Sequence, residues 1–413
     1  MHPGSQAART TERGRRLQRT LFEAFPDSAD ADRLEVEFVR APGRVNLMGD
    51  HTDDTDGLVL CVAIELDTWI ALRRRRDELV RIVSRESGER AEFWIDELDA
   101  GPGAETRPGR PSWGDRVEGV AWSLREAGLP VRGFDGIVDS VIPRRAGLGW
   151  DAALELASAV ALLAGERIVA APTLAALAQR GEREFLGAVG GIVDQYASAA
   201  GRAGRAILLD CRSLESRYVP LPAGITVVVC DTGTPAATEA TAVDARGGVL
   251  RERRADCGRA VALLAEEIPS IASLRDVDTA TLRRNRHLLG ETIARRAEHV
   301  VGENERVVAA VAALGVGDLD ELGRLFAASH ESLSSLYEVG SPALAAMVEI
   351  ALGVPGVVAS RMTGPGLGGC TVNLVRDAAV PALQKAVADE YPRRTGLTPG
   401  VYPVAAVDGS GPA

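Results

Sequence analysis

The sequence predicts an α+β protein of two lobes, with helices and strands in each lobe. The chain has 413 residues, too many for one compact core, so two domains are expected. Strand and helix patterns alternate in the first half, whereas long helical patterns dominate the second half. A glycine-rich turn lies in each half, at residues 147–149 and 364–369. This order of elements is typical of α+β folds.

The first half is predicted to alternate helices with strands between clear turn signals. Leu34–Val39 alternates as a strand that ends at a turn over residues 40–43, where proline and glycine are adjacent. Residues 101–112 are rich in proline and glycine and predict a loop. Further strands are predicted over Leu58–Leu72, within Arg74–Glu97, and over Gly133–Ser140 and Arg205–Asp210. Helices are predicted over residues 8–25, Ser112–Glu126, Ala152–Ala164 and Thr173–Glu184.

The domain boundary is predicted within residues 211–224, which contain glycine and proline between two strand patterns. This prediction assigns residues 1–215 to an N-terminal domain and residues 216–413 to a C-terminal domain. In the C-terminal domain, helices are predicted over 246–266, 278–314, 317–334, 341–353 and Val380–Tyr391. Its strands are predicted over Ile225–Cys230, Val357–Thr363, Gly369–Val375 and Gly400–Val407.

The composition favours a cytoplasmic protein that acts on a small molecule. A net charge of −11 argues against binding to nucleic acid or an anionic membrane. The five cysteines are scattered without a CxxC pair, which predicts reduced thiols. The N-terminal region shows no apolar leader segment, and no apolar run reaches the ~20 residues that span a bilayer. Lys385 is the only lysine and no GxxxxGK[ST] motif occurs, which excludes a P-loop enzyme.

The stretch Gly147-Leu148-Gly149 has the frame of a phosphate-binding loop that opens a helix. Backbone N–H groups and the helix dipole at such a turn face an anion. Trp150 and Asp151 follow the turn, and their bulk and negative charge oppose a nucleotide phosphate. The same stretch therefore indicates a nucleotide-dependent enzyme and an unusual phosphate site.

Residues 41–53 place Arg44, Asp50, His51 and Asp53 within ten positions of one another, just after a predicted strand. Carboxylates and an imidazole suit hydrogen bonding to neighbouring sugar hydroxyls, and an arginine stabilises developing negative charge. The alternative interpretation is a solvated acidic loop with a structural arginine.

A second constellation is Gly190-Gly191-Ile192-Val193-Asp194, in which Asp194 lies twelve residues after Glu182. An aspartate after a glycine-rich turn can act as a general base for a hydroxyl, and a glutamate oxygen suits magnesium. A helix N-cap aspartate with a surface glutamate is the alternative. The glycine-rich turn at 364–369 predicts close approach of a ligand or another loop, or else a plain hairpin.

Together these segments resemble galactokinases, within the GHMP family of small-molecule kinases. Residues 44–53 are similar to the N-terminal signature, residues 143–153 to the phosphate loop, and residues 191–195 to the catalytic-aspartate segment. Further ordered matches lie at 208–215, 230–233, 295–296, 299–300, 303–306, 329–330, 337–339 and 361–375. The resemblance therefore extends over nearly the whole chain.

This resemblance implies a two-lobed GHMP kinase fold, with an N-terminal α/β domain, a C-terminal α+β domain and the active site between them. It implies ATP and Mg²⁺ as cofactors, and transfer of the γ-phosphoryl group to the anomeric C1 hydroxyl of a galactose-like sugar. Asp194 is then the expected general base, and Arg44 is expected to lower the pKa of the hydroxyl and stabilise charge.

The resemblance also implies which residues bind each group. Sugar contacts are expected from Asp50, His51, Asp53 and Gly191. Nucleotide contacts are expected from Trp113, Gly147, Leu148, Gly149 and Asp151. Magnesium ligands are expected to be Glu182 and Asp151. A structural position in the core or on the surface is the alternative for Trp113.

Four departures from the family pattern bear on the substrate and the mechanism. Gly149-Trp150-Asp151 replaces a run of serines, and Asp50 replaces a glutamate. Asp54 and Leu250 each stand where the family has a tyrosine. The loss of bulk predicts a wider pocket near C6 of the sugar, suited to a C6-extended sugar such as an octose in antibiotic biosynthesis.

The altered loop leaves two other interpretations open. One is a sugar-binding sensor or regulatory protein that keeps the fold without phosphoryl transfer. The other is an artificially altered loop in an otherwise active kinase. The sequence leaves the position of the Trp150 ring and the oligomeric state open.

Overall fold

Two β-sheets flanked by helices form the framework of the protein. The computed structural model describes residues 3–26, 36–98, 112–163, 169–188, 190–237 and 245–413. Helices and strands occur on both sides of the predicted domain boundary. The predicted α+β class with two lobes is therefore confirmed.

The larger sheet contains most strands of the first half. Its strands are β1 (Glu37–Met48), β2 (Leu58–Arg74), β3 (Leu79–Ser84), β4 (Arg90–Trp94), β5 (Phe134–Ser140), β6 (Arg205–Asp210) and β7 (Ser216–Pro220). Five of them follow the order β1-β2-β5-β3-β4, while β6 pairs with both β2 and β7. The pairing of β3 with β5 is parallel, and the other pairings among these strands are antiparallel.

The smaller sheet is antiparallel and has the order β11-β8-β10-β9. Its strands are β8 (Ile225–Asp231), β9 (Val357–Thr363), β10 (Cys370–Arg376) and β11 (Gly400–Val404). A last short strand, β12 (Gly411–Pro412), returns to pair with β1. The predicted division at residue 215 stays a prediction, and strand pairing crosses it twice, at β6–β7 and at β1–β12.

The described residues form eleven α-helices. In the first half they are α1 (Pro3–Ala24), α2 (Ser112–Glu126), α3 (Trp150–Leu162), α4 (Ala171–Arg180) and α5 (Val193–Ala200). In the second half they are α6 (Ala245–Glu267), α7 (Thr279–Asn285), α8 (Glu291–Val316), α9 (Leu319–Ser335), α10 (Pro342–Leu352) and α11 (Val380–Thr395). None of these described helices is long and apolar enough to cross a membrane. The predicted loop over 101–112 lies outside the described residues except for Ser112, where α2 begins.

Helix α3 lies at the centre of the main hydrophobic core. Residues 152–162 of this helix are all buried, as expected for a helix that is apolar on every face. The same core includes Val45 of β1 and Val372 of β10, so it extends from one sheet to the other. Both sheets therefore share one core with α3.

Strand β1 corrects the prediction of a strand that ends at a turn over residues 40–43. The strand continues through Pro42 and Gly43, where its register with β2 shifts at a bulge. A bulge accommodates proline because no ladder hydrogen bond is required there. Gly43 is needed for close packing, since a Cβ at this position would lie 2.6 Å from the carbonyl oxygen of Leu148.

Two predicted helices are each divided in the structure. The helix predicted over Thr173–Glu184 ends as α4 at Arg180 and continues as a π-helical turn over Gly181–Phe185. The helix predicted over 278–314 is broken between α7 and α8, and Gly290 has a φ of +66° at the break. Gly290 directly precedes α8, and its positive φ is a conformation that glycine adopts without a Cβ clash.

Arg361 ties the smaller sheet to the first strand of the larger one. This fully buried side chain of β9 donates from Nη1 to the carbonyl oxygen of Leu47 at 2.7 Å, and its Nη2 pairs with the carboxylate of Asp50. Two buried opposite charges compensate each other here, and removal of one would leave the other uncompensated.

We expect Arg361→Met to reduce the free energy of unfolding by about 3–5 kcal/mol, because it leaves the buried Asp50 carboxylate unpaired. The measurement is urea denaturation followed by circular dichroism. The matched control is the double variant Arg361→Met with Asp50→Asn, which should recover part of this loss. Strictly additive effects of the two substitutions would show that the ion pair is not the cause.

Candidate active site

A cleft of about 220 Å³ brings together most of the residues predicted to form the active site. It lies where the end of β1, the start of α3, the π-helical turn and the start of α5 meet. The predicted residues that line it are Arg44, Asp50, His51, Asp53, Asp151, Glu182, Gly191 and Asp194. Trp113, Gly147, Leu148 and Gly149 do not line this cleft.

Arg44 of β1 and Asp194 of α5 form an ion pair at the base of the cleft. Nε of Arg44 donates to Oδ1 of Asp194 at 2.7 Å, and Nη2 lies 2.6 Å from the same oxygen. Burial alone would lower the pKa of Arg44, but the carboxylates of Asp194 and Asp50 raise it above its ordinary value. The guanidinium is therefore a permanent positive charge beside the predicted base.

The second oxygen of Asp194 remains available to a ligand. Both contacts with Arg44 use Oδ1, and Oδ2 accepts no hydrogen bond from the described part of the chain. The side chain is 36% exposed, so this oxygen is accessible from the cleft. A carboxylate oriented through one oxygen and open at the other suits removal of a proton from a bound hydroxyl.

The predicted phosphate loop is held against β1 by its backbone. The carbonyl oxygen of Leu148 accepts from the backbone N–H of Arg44 at 2.9 Å, and that of Gly147 accepts from the Arg44 side chain. Gly149 has a φ of +74°, a conformation that favours glycine, and α3 begins at the next residue. No side chain caps this end of the helix, so its first N–H groups are left for another acceptor.

Trp150 folds toward the protein interior. Its ring packs against the main hydrophobic core, and the guanidinium carbon of Arg144 lies 4.3 Å from the ring centroid. The buried Nε1 of Trp150 has no hydrogen-bond partner among the described residues. The ring does not line the cleft. Its bulk therefore lies outside the space in which Asp194 faces a ligand.

Arg116 of α2 lies between three carboxylates, and sequence reasoning missed it. Its Nη1 lies 2.7 Å from Oε1 of Glu155 and 2.9 Å from Oε1 of Glu182, while Nη2 lies 2.9 Å from Oδ2 of Asp151. Burial raises the pKa of Glu155, with a further increase from Glu182. The i,i+4 spacing of Asp151 and Glu155 in the sequence is the one signal that could have predicted part of this cluster.

The predicted magnesium ligands Glu182 and Asp151 do not fit a metal ion held by the protein in this arrangement. Both carboxylates are already paired with the guanidinium of Arg116. Among the described residues, no group of three or more histidine, cysteine, aspartate or glutamate side chains has the geometry of a metal site. A metal at this position would share the carboxylates with a permanent positive charge.

Asp50 is bound by protein donors at the other end of the cleft. Its Oδ2 accepts from Arg361. Its Oδ1 accepts from Nδ2 of Asn46 at 2.7 Å and from the backbone N–H of Gly364 at 3.2 Å. The glycine-rich turn predicted at 364–369 thus reaches the site through Gly364. The Asp50 carboxylate is therefore fixed by protein donors at its place in the cleft lining.

His51 is held in an unusual conformation against an aromatic ring. Its φ is +64°, and its ring stacks on Tyr337 with a centroid separation of 4.4 Å. Burial lowers the pKa of His51, although Asp50 and Asp54 oppose this effect. The buried Nε2 has no partner among the described residues. The imidazole lines the cleft, and the hydrogen-bonding capacity of its Nε2 is left unused by the described residues.

Asp53 and Gly191 pack so closely that only glycine fits at position 191. A Cβ on Gly191 would lie 1.7 Å from Oδ2 of Asp53. Burial raises the pKa of Asp53 to about 8, with further increases from Asp54 and Asp194. The Asp53 carboxyl group therefore carries a proton over part of the neutral pH range and can donate or accept a hydrogen bond.

Trp113 and Leu250 occupy structural positions. Trp113 belongs to the main core, and its Nε1 donates to Oε2 of Glu89 at 3.2 Å. Leu250 of α6 is buried but lines the cleft. Beside it, Arg254 pairs with Asp54 at 2.7 Å. A nucleotide contact by Trp113 stays a prediction, since this side chain is away from the cleft.

Comparison with known proteins identifies the class and then the family. Three family profiles match: the Galactokinase galactose-binding signature at residues 23–74, the GHMP kinases N terminal domain at 115–202, and the GHMP kinases C terminal domain at 309–393. A mevalonate kinase structure from Methanococcus jannaschii has a TM-score of 0.60 at 15% identity and covers 91% of this chain and 100% of its own, which shows a shared fold. The fold is thus that of GHMP kinases.

Closer relatives place the chain within that class. It is 40% identical to a galactokinase from Roseiflexus sp., covering 90% of this chain and 92% of the relative. It is 37% identical to the human galactokinase, and the match covers 98% of this chain and 97% of the human protein. The structure of Lactococcus lactis galactokinase complexed with galactose aligns with a TM-score of 0.83 at 33% identity, over 95% of this chain and 98% of that one. The chain belongs to the galactokinase family and is a sugar kinase that uses ATP.

We expect Asp53→Asn to stabilise the protein in a pH-dependent way. An aspartate in the unfolded chain ionises near pH 4, whereas Asp53 in the folded protein ionises at about pH 8. The protonated Asp53 carboxyl group therefore stabilises the folded protein fully below pH ~4, and this stabilisation is lost as the pH rises through ~8. Asparagine has no charge to bury, so Tm should rise by about 2 °C or more at pH 8.5 and little at pH 4.

The matched control is Asp320→Asn, which changes an exposed carboxylate on α9. Differential scanning calorimetry from pH 4 to 9 gives the comparison. An equal Tm change at both ends of this range would contradict the raised pKa of Asp53.

Proposed function

We propose that this protein transfers the γ-phosphoryl group of ATP to the anomeric C1 hydroxyl of a galactose-like sugar. The observation that carries the proposal is the Arg44–Asp194 pair, in which Oδ1 of Asp194 is held and Oδ2 faces the cleft. Asp194 accepts the hydroxyl proton, and Arg44 stabilises the negative charge that develops on the sugar oxygen. The fixed position of both groups supplies the orientation that the reaction requires.

The loop over residues 147–149 and the start of α3 form the proposed nucleotide site. The uncapped N–H groups at the start of α3 suit the phosphates of ATP, and Gly149 allows close approach. Magnesium enters this proposal as a counter-ion of ATP. Glu182 and Asp151 are paired with Arg116, so we assign no step to a protein-held ion.

The sugar end of the cleft supports a substrate other than plain galactose, with an extension at C6. The short Asp50 side chain is held by Arg361, and Leu250 leaves more room than a tyrosine would. Asp54 pairs with Arg254 at the same end, which adds polar groups that a longer, hydroxylated sugar can meet. Galactose would leave some of these groups unpaired, and that mismatch costs binding. An octose-type sugar therefore remains the proposed substrate class.

One observation favours the second candidate, a sugar-binding sensor or regulatory protein. Asp151 lines the cleft with a side chain that is 48% exposed, and its negative charge is unfavourable beside a triphosphate. Calorimetry with Mg-ATP, followed by a turnover assay, separates the candidates. ATP binding with sugar-dependent ADP release supports the kinase, whereas sugar binding without either supports the sensor.

The base assignment predicts that Asp194→Asn reduces kcat by about 100-fold or more. The amide oxygen can still accept from Arg44, so the pocket and the sugar KM should be nearly unchanged. A coupled ADP-release assay gives both constants, and circular dichroism checks the fold. As a matched control, Asp210→Asn changes an aspartate in β6, outside the cleft. Near-normal turnover of Asp194→Asn would remove Asp194 from this role.

The substrate assignment predicts that kcat/KM for a C6-extended galacto-configured sugar exceeds that for galactose by about tenfold or more. Asp50→Glu should shift this ratio toward galactose, because the longer carboxylate reaches further into the cleft. Asp56→Glu is the matched control, since Asp56 is near in sequence but does not line the cleft. Galactose as the best substrate by a wide margin would contradict the wider-pocket argument.

A further inference from the structure

We propose that Arg116 is a built-in cation that takes the place of a protein-bound metal ion in this active site. Its guanidinium contacts Asp151, Glu155 and Glu182 at 2.7–2.9 Å, so three carboxylates converge on one positive group. The inference rests on the proposed function only in placing this cluster beside the phosphates of ATP.

The fold brings these groups together through a close contact between α2 and the π-helical turn. A Cβ on Gly181 would lie 2.5 Å from the carbonyl oxygen of Gly119, so the two backbones touch. Arg116 lies one helical turn before Gly119, and Glu182 directly follows Gly181. Arg116 therefore has little freedom to leave Glu182 while this contact persists.

The glutamate oxygens are all occupied by protein donors. Arg116 donates from Nη1 to Oε1 of both Glu155 and Glu182. Gln195 donates from Nε2 to Oε2 of Glu155 at 3.0 Å and to Oε2 of Glu182 at 2.8 Å. Gln195 is itself buried on α5, one residue after Asp194. A metal ion would have to displace these donors to reach the oxygen ligands it prefers.

Electrostatics also favour Arg116 over a metal ion as the positive partner of these carboxylates. An arginine side chain keeps its charge at all ordinary pH values, so it cannot give way to a metal by losing a proton. Asp151 and Glu155 face the same side of α3, and their repulsion requires a positive partner. Arg116 supplies that charge permanently, and it also offsets the negative charge that Asp151 would otherwise present to ATP.

The test is divalent-cation binding without nucleotide or sugar, measured with Mn²⁺ by electron paramagnetic resonance. Wild-type protein should bind Mn²⁺ no better at this cluster than Glu182→Gln does. Arg116→Met should create a site with affinity about tenfold or more tighter, and Mn²⁺ should then raise its Tm. In the matched control Arg116→Met with Asp151→Asn and Glu182→Gln, which leaves one carboxylate, this gain should be lost.

A second variant covers the case in which three unpaired carboxylates prevent folding. Arg116→Met with Glu155→Gln leaves two carboxylates and should also gain Mn²⁺ binding. The proposal is overturned if wild-type protein binds Mn²⁺ in a manner that Glu182→Gln abolishes. It is also overturned if the folded arginine variants bind Mn²⁺ no better than wild type. This readout needs no turnover, so its failure is distinct from failure of the proposed kinase reaction.

Discussion

The buried guanidinium of Arg44 is the interaction on which the site depends. It extends from the bulged end of β1, binds the carboxylate of Asp194 on α5 and also the carbonyl oxygen of Gly147. A buried charge is costly unless it is paired and hydrogen-bonded, so these partners are fixed relative to one another. Because α3 starts directly after this loop, the same contact positions a helix N-terminus beside the predicted base. The predicted base and the start of α3 are thus oriented by one side chain.

Two other arginines stabilise carboxylates at opposite ends of the cleft. Arg361 pairs with Asp50 at one end, where it also joins the smaller sheet to β1. Arg116 pairs with Asp151 and the two glutamates at the other end. This protein therefore balances an acidic cleft with guanidinium groups from its own chain. Such pairing limits which carboxylates are free to bind a ligand, and Asp194 Oδ2 is one of the oxygens that stays available.

Local patterns predicted the two lobes, most elements and the main site residues, but they failed where tertiary contacts override local preference. Pro42-Gly43 has the local signature of a turn, yet it continues β1 because a bulge and the close approach of Leu148 accommodate it. The helix that includes Glu182 changes to a π-helical turn at a glycine packed against α2. The roles assigned to the site residues stay predictions, although the structure places eight of them in one cleft.

The sequence by itself determined the class of protein, because ordered motifs such as residues 44–53 and 191–195 carry the chemistry in short, contiguous segments. It also showed that Trp150 and Asp151 depart from an ordinary phosphate loop. Only the tertiary structure decided where those two side chains lie and what neutralises Asp151. Arg116 is more than thirty positions away in the chain, and no periodicity relates a residue on α2 to carboxylates on α3 and the π-helical turn. Packing between helices brings these charges together, and packing is a property of the folded chain as a whole.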